Sequence, residues 1–180
     1  MSVLRRDLHE EVTMRFLFDI SERLSSEHQN VIRVLGRFGR FLASAGTDAE
    51  PDWTDPDVRE LLGDLRIVVE SEVPNHFTIE EEELFPRLLE RGCGGMVNLL
   101  LGEHQIILGL IAEVAPIIST AATQRAVGKE DWKTLLEKGG ILVSALSTHA
   151  EKEECGFVPR IDQLIDRESA DRIFRRYQGM

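Results

Sequence analysis

The sequence predicts an all-α protein, an antiparallel up-down four-helix bundle with short extra helices at its N- and C-terminal ends. Three observations carry that prediction. Apolar residues recur three, four or seven apart along four long stretches, glycine and proline gather between them, and no run alternates with the period of two that a strand requires. The first stretch, Leu24, Val31, Leu35, Phe38 and Leu42, makes one helical stripe that stops near Gly46. A loop follows to Pro56, where Asp55 supplies an N-cap and proline takes the first helical position. The second stripe runs Val58, Leu61, Leu62, Leu65, Val69, Val73, His76, Glu80, Leu84, Leu88 and ends in the glycine-rich break Arg91 to Gly95. Pro74 is expected to kink it just before His76. The third is Val97, Leu100, His104, Ile107, Ile111, Val114, Ile118, and the fourth Leu135, Leu142, Leu146, His149, Glu153, Phe157, Ile161, Leu164. Leu4, Leu8, Val12, Phe16 and Ile20 suggest a short N-terminal helix, and Arg172 to Tyr177 a basic C-terminal one, both outside the bundle. The expected division is a helical extension over 1–21, the bundle over 22–165 and a basic tail over 166–180.

Composition narrows the function. A chain of 180 residues holds one ordinary domain, and 42% apolar with 29% charged residues marks a folded protein. Thirty-two acidic against 21 basic residues give a net charge of -11, which argues against partners that need a basic face, nucleic acid and anionic membranes among them. The most apolar stretch, Met96 to Ile118, is interrupted by Glu113 and Pro116, so no membrane span is expected. Two cysteines, Cys93 and Cys155, do not make a disulfide scaffold, and the N-terminal residues lack the apolar centre of a signal peptide. The expected location is the cytoplasm.

The chain also repeats itself. Ser26-Glu27-His28-Gln29 is echoed by Gly102-Glu103-His104-Gln105, and His76 to Leu88 lines up with His149 to Ile161. The second pair shares the histidine, the glutamates Glu80-Glu81 and Glu153-Glu154, and the Pro-Arg steps Pro86-Arg87 and Pro159-Arg160. The halves read as a duplicated helical hairpin, each with one lone histidine and one His-x-x-x-Glu. Residues four apart lie about 40° apart around a helix, so His76 shares a face with Glu80, and His149 with Glu153. That face is the apolar stripe, on which His28 and His104 also fall. A buried ionised glutamate costs several kcal/mol unless it is paired or bound to a metal. Four imidazoles and two carboxylates from facing helices form an N/O set that iron, manganese or zinc accepts, which makes His28, His76, Glu80, His104, His149 and Glu153 the candidate metal ligands. The residues leave a second reading open, in which each His⁺ and Glu⁻ neutralise each other within one helix. His9, beside Glu10 and Glu11, reads as solvated, as do Glu27 and Glu103, which lie about 100° from the stripe. Glu81 and Glu154 could accept hydrogen bonds from the ligands. Trp53, Trp132 and Tyr177 read as packing or rim residues, and neither cysteine has a partner at metal or redox spacing.

The ordered set, a His, a His-x-x-x-Glu, a His and a His-x-x-x-Glu, resembles the hemerythrin-like, or HHE, cation-binding domain over about residues 22–165. The resemblance implies a four-helix bundle holding two non-haem irons, with Glu80 and Glu153 as bridging carboxylates and the four histidines as terminal ligands. It also implies a small partner, O2, NO or peroxide. Oxygen-carrying members place a second histidine one turn along the third helix, where this chain has Leu108; a five-histidine set would need His9. Iron–sulfur repair members carry an N-terminal cysteine pair that is missing before the first long helix. Three functions remain: a di-iron module that binds or responds to O2, NO or redox state, a di-iron enzyme acting on peroxide, and a metal-free interaction bundle. No catalytic residue independent of the metal stands out.

Overall fold

The computed structural model describes residues 16–45 and 51–180. Its helices, in order, are α1 (Asp19–Ser44), α2 (Pro56–Ile67), α3 (Val73–Ile79), α4 (Phe85–Glu90), α5 (Gly94–Gln124), α6 (Lys129–Gly156), α7 (Val158–Leu164) and α8 (Arg167–Gln178). Among the described residues there is no strand. The expected N-terminal helix lies almost wholly outside the described residues, and His9 with it.

Asp55 caps α2 as its spacing to Pro56 suggests, its carboxylate accepting the Asp57 N–H at 2.8 Å. The second long stripe is not one regular helix. Two π segments, Val68–Glu72 and Glu80–Leu84, separate α2, α3 and α4 along a continuous rod. Pro74 and Pro86 each fall in the first turn after a π segment. A π turn widens the i→i+4 ladder to i→i+5, and the first turn after it is where a residue without an N–H is tolerated. The rod ends at Gly92, whose φ of 82° a side chain would resist, with the Cys93 N–H returning to Leu88 O at 3.0 Å. The fourth stripe also breaks, α6 stopping at Gly156 and α7 resuming with Pro159 in its first turn.

The four rods α1, α2–α4, α5 and α6 pack around a common interior, α6 against α1 and α5, and α2 against α1 and α5. Along every rod the interior changes character in the same order. Toward one end lies an apolar cluster built around Phe38, Leu42, Leu62, Leu65, Trp132 and Leu135. Toward the other lies a second cluster, with Leu24, Leu84, Phe85, Leu88, Leu100 and Phe157. The buried polar residues sit between them: Ser25 and His28 on α1, His76 and Glu80 on the second rod, His104 on α5, His149 and Glu153 on α6. α8 closes the second end, laying Ala170, Ile173 and Tyr177 inward and packing on α1.

α5 continues unbroken through Pro116. By length and composition it is apolar enough to cross a membrane, although the interruption at Glu113 and Pro116 suggested otherwise. Here its row Val97, Leu100, His104, Ile107, Ile111 and Val114 is buried against the other rods.

Candidate metal centre

All six sequence-derived donors come together at the middle of the bundle. His28, His76, Glu80 and Glu153 offer atoms that lie within 4.8 Å of one another, and so do Glu80, His104, His149 and Glu153. Glu80 and Glu153 belong to both sets. Their exposure is 0%, and none of the four histidines exceeds 5%.

Each imidazole turns Nε2 inward. His76 Nε2 lies 3.1 Å from Glu80 Oε1, and His104 Nε2 lies 3.4 Å from Glu80 Oε2. His28 Nε2 lies 3.0 Å from Glu153 Oε2, and His149 Nε2 lies 3.2 Å from Glu153 Oε1. Phe77 lies flat on the His104 ring, centres 3.6 Å apart and 5° from parallel, which fixes that imidazole's plane.

The outer nitrogens are held by a second ring of glutamates. His28 Nδ1 donates to Glu154 at 2.7 Å, His76 to Glu27 at 2.9 Å, His104 to Glu81 at 2.7 Å and His149 to Glu103 at 2.9 Å. A carboxylate has no hydrogen to give, so each Nδ1 carries a proton, and it is Nε2 that each ring turns to the interior, as a lone pair whenever that nitrogen is unprotonated. The expectation for Glu81 and Glu154 holds, while that for Glu27 and Glu103 needs correction. Their side chains are only 12% and 19% exposed, because each reaches across to the neighbouring helix instead of into water. Tyr177, read from sequence as a packing or rim residue, donates its hydroxyl to Glu27. Leu108 points outward, so that position adds nothing to the centre. Cys93 is half-buried and Cys155 exposed, both free thiols.

The consequence is an interior made of acceptors. Both oxygens of Glu80 and of Glu153, with Nε2 of His104 and of His149, are buried without a hydrogen-bond partner. His28 Nε2 and His76 Nε2 approach to 3.0 Å, which is the spacing of two donors at right angles about one cation with bonds of roughly 2.1 Å. Such a set is satisfied by protons or by metal ions. For protons the electrostatics are clear. Burial and the Glu153 charge push the Glu80 carboxyl up, but His76 and His104 outweigh them and leave it below an ordinary glutamate. Burial raises Glu153 too, yet the surrounding histidines hold it well below that range. Burial disfavours charged His104, but Glu153, Glu80 and Glu81 raise its pKa to about 9. The same contest, with Glu80, Glu153 and Glu27 prevailing, raises His76 well above its ordinary value. Protonation would set N–H against N–H across the 3.0 Å His28–His76 gap, whereas a divalent cation uses every lone pair at once. The residues therefore fit a metal pair, with imidazoles oriented by carboxylates as metal-binding histidines commonly are.

A comparison with curated proteins gives no match. A family model described as the hemerythrin HHE cation-binding domain does match, over residues 19–161. That span runs from the first residue of α1 into α7 and takes in all six inner donors and the four glutamates behind them; the chain belongs to the hemerythrin HHE cation-binding domain family.

Proposed function

We propose that the chain is a non-haem di-iron protein that binds or responds to O2, NO or redox state. His28 and His76 would hold one iron and His104 and His149 the other, with Glu80 and Glu153 available to both. The observation that supports this reading is the acceptor-only centre together with the space beside it. A cavity of about 20 Å³ adjoins His28, His76, His149 and Glu153, and its remaining wall is largely apolar, formed by Val31, Val73, Phe77, Leu146 and Ala150. That is room for about one water-sized molecule, the scale of a diatomic ligand and far below that of an organic substrate. Iron supplies accessible one-electron redox steps and coordination positions beyond those the protein fills; manganese or zinc would accept the same donors. The protein's own part is to hold four Nε2 lone pairs inward by fixing each Nδ1–H on a glutamate, and to keep bulk water out.

Iron(II) added without oxygen to the metal-free protein is expected to bind at two per chain, matching the two donor sets. NO or O2 should then give a stable absorption change without turnover. Ala150→Val, which narrows the cavity, should weaken the NO response and leave the iron content unchanged. No iron uptake would favour the metal-free bundle and overturn the reading. The second reading, an enzyme acting on peroxide, is favoured by Glu72, a carboxylate on the same cavity wall held by Asn30 Nδ2 at 2.8 Å and able to carry a proton. Many peroxide molecules consumed per iron pair, with loss of that turnover in Glu72→Gln, would select it.

A further inference from the structure

The two donor sets match in their inner atoms and differ in what stands behind them. In each half the glutamate preceding the lone histidine accepts the Nδ1 proton of the motif histidine, Glu27 from His76 and Glu103 from His149. In each half the other oxygen of that glutamate meets an exposed cation, Arg23 or Lys152. There the likeness ends. Tyr177 donates its hydroxyl to the same Glu27 Oε2 that takes the His76 proton. Ser25 Oγ donates to Glu154 Oε2 at 3.0 Å, while His28 holds Glu154 Oε1. Among the described residues no hydroxyl reaches Glu103 or Glu81.

Both hydroxyl donors are buried, Tyr177 at 8% and Ser25 at 5% exposure. Tyr177 arrives from α8, which lies beyond the residues that the family model matches. The next residue back, Arg176, pairs with Glu82 and Glu83 on the π segment that begins at Glu80. α8 is thereby tied both to the segment carrying a shared carboxylate and to the glutamate behind His76. A carboxylate with a second, buried donor keeps one rotamer, so the imidazole it holds stays aimed before any cation arrives, and the ordering cost of binding falls.

We infer that Tyr177, acting through Glu27, is a positioning residue that makes the His28–His76 position the tighter of the two cation sites and leaves the His104–His149 position as the exchangeable one. The inference rests on the di-iron reading above. It is tested by titrating metal-free wild type and Tyr177→Phe with iron(II) in the absence of oxygen, followed by calorimetry and by Mössbauer spectra of the loaded proteins. Wild type should show two steps. Tyr177→Phe keeps the ring that packs on α1, so it should weaken the tighter step by about tenfold, leave the weaker step in place and alter one of two iron signals. Ser25→Ala removes the second hydroxyl without touching α8 and should weaken the same step, which keeps the test decisive if Tyr177→Phe fails to fold. Lys152→Met should move the weaker step alone. Unchanged steps in Tyr177→Phe and Ser25→Ala, or an equal shift of both steps, would overturn the inference while two irons in the wild type left the di-iron reading standing. A wild type that takes up no iron would overturn both.

Discussion

The apolar end of the bundle and its polar centre are built on the same four rods and obey opposite rules. Around Phe38 the interior is held by apolar packing, and among the described residues its only buried polar side-chain atoms without a partner are the neutral indole nitrogens of Trp53 and Trp132. Phe38 is fully buried, Trp53 and Trp132 meet edge to face with centres 5.5 Å apart, and a Cβ placed on Gly139 would come within 2.9 Å of the Phe38 ring. Each large side chain there gains about 1.5–3 kcal/mol from leaving water, whatever the solution contains. A few turns away, Glu80, Glu153 and their histidines are as deeply buried but cannot satisfy one another. One region is sensitive to volume, the other to charge. The scaffold is secured at its ends, and its middle carries charge that protons or a cation would satisfy.

The difference can be broken or sharpened by experiment. The largest effect is expected at the apolar end: Phe38→Ala should lower stability by about 3–5 kcal/mol, equally with and without iron in denaturant unfolding. A loss that depended on iron would mean that the two regions are not separate. Next is Glu153→Ala, which takes a donor from both sets at once. It should abolish the iron-dependent gain in stability, about 1.4 kcal/mol per site at a tenfold excess over Kd, and metal analysis should find less than one iron per chain. The smallest effect concerns pH. His104 has a folded pKa near 9, above its ordinary 6.5, so its contribution to the metal-free fold is whole below pH 6.5 and lost as pH rises through 9. Iron must displace that proton, so its affinity should climb over the same window by up to about tenfold per pH unit per proton released. Melting curves of the metal-free and loaded proteins should therefore diverge between pH 6.5 and 9. Parallel curves would show that protons and metal do not compete at this centre.

Much of this architecture could be read from spacing. Stripes of three and four marked the rods, and histidine or glutamate on an otherwise apolar stripe marked the six inner positions, because a charged residue at a core register demands an explanation. The outer glutamates were harder. Glu27 and Glu103 sit a full 100° from the stripe on their own helices, which reads as solvent, but the gap between two packed helices lies at that angle and a glutamate is long enough to bridge it. The repeated Glu-His step was the one signal that could have revealed them. Tyr177 had none, since it meets Glu27 from 150 residues away in sequence. The π segments did leave a trace, in buried rows stepping uniformly by four: Leu65, Val69, Val73, Phe77, and His76, Glu80, Leu84, Leu88.

On an ordinary winding, a row that repeats every four residues drifts by about 40° at each step, and over the length of this rod it would spiral away from the interior. The two wide turns at Val68–Glu72 and Glu80–Leu84 each absorb a residue of that drift. They act as a pair of swivels around the segment bearing His76 and Glu80, so its bearing is adjusted independently of the apolar rows that anchor the rod on either side. A one-residue insertion in one π segment paired with a deletion in the other would re-aim the segment by about 100° and keep both anchors in register. The direction in which His76 and Glu80 face is thus separable from the packing that holds the rod.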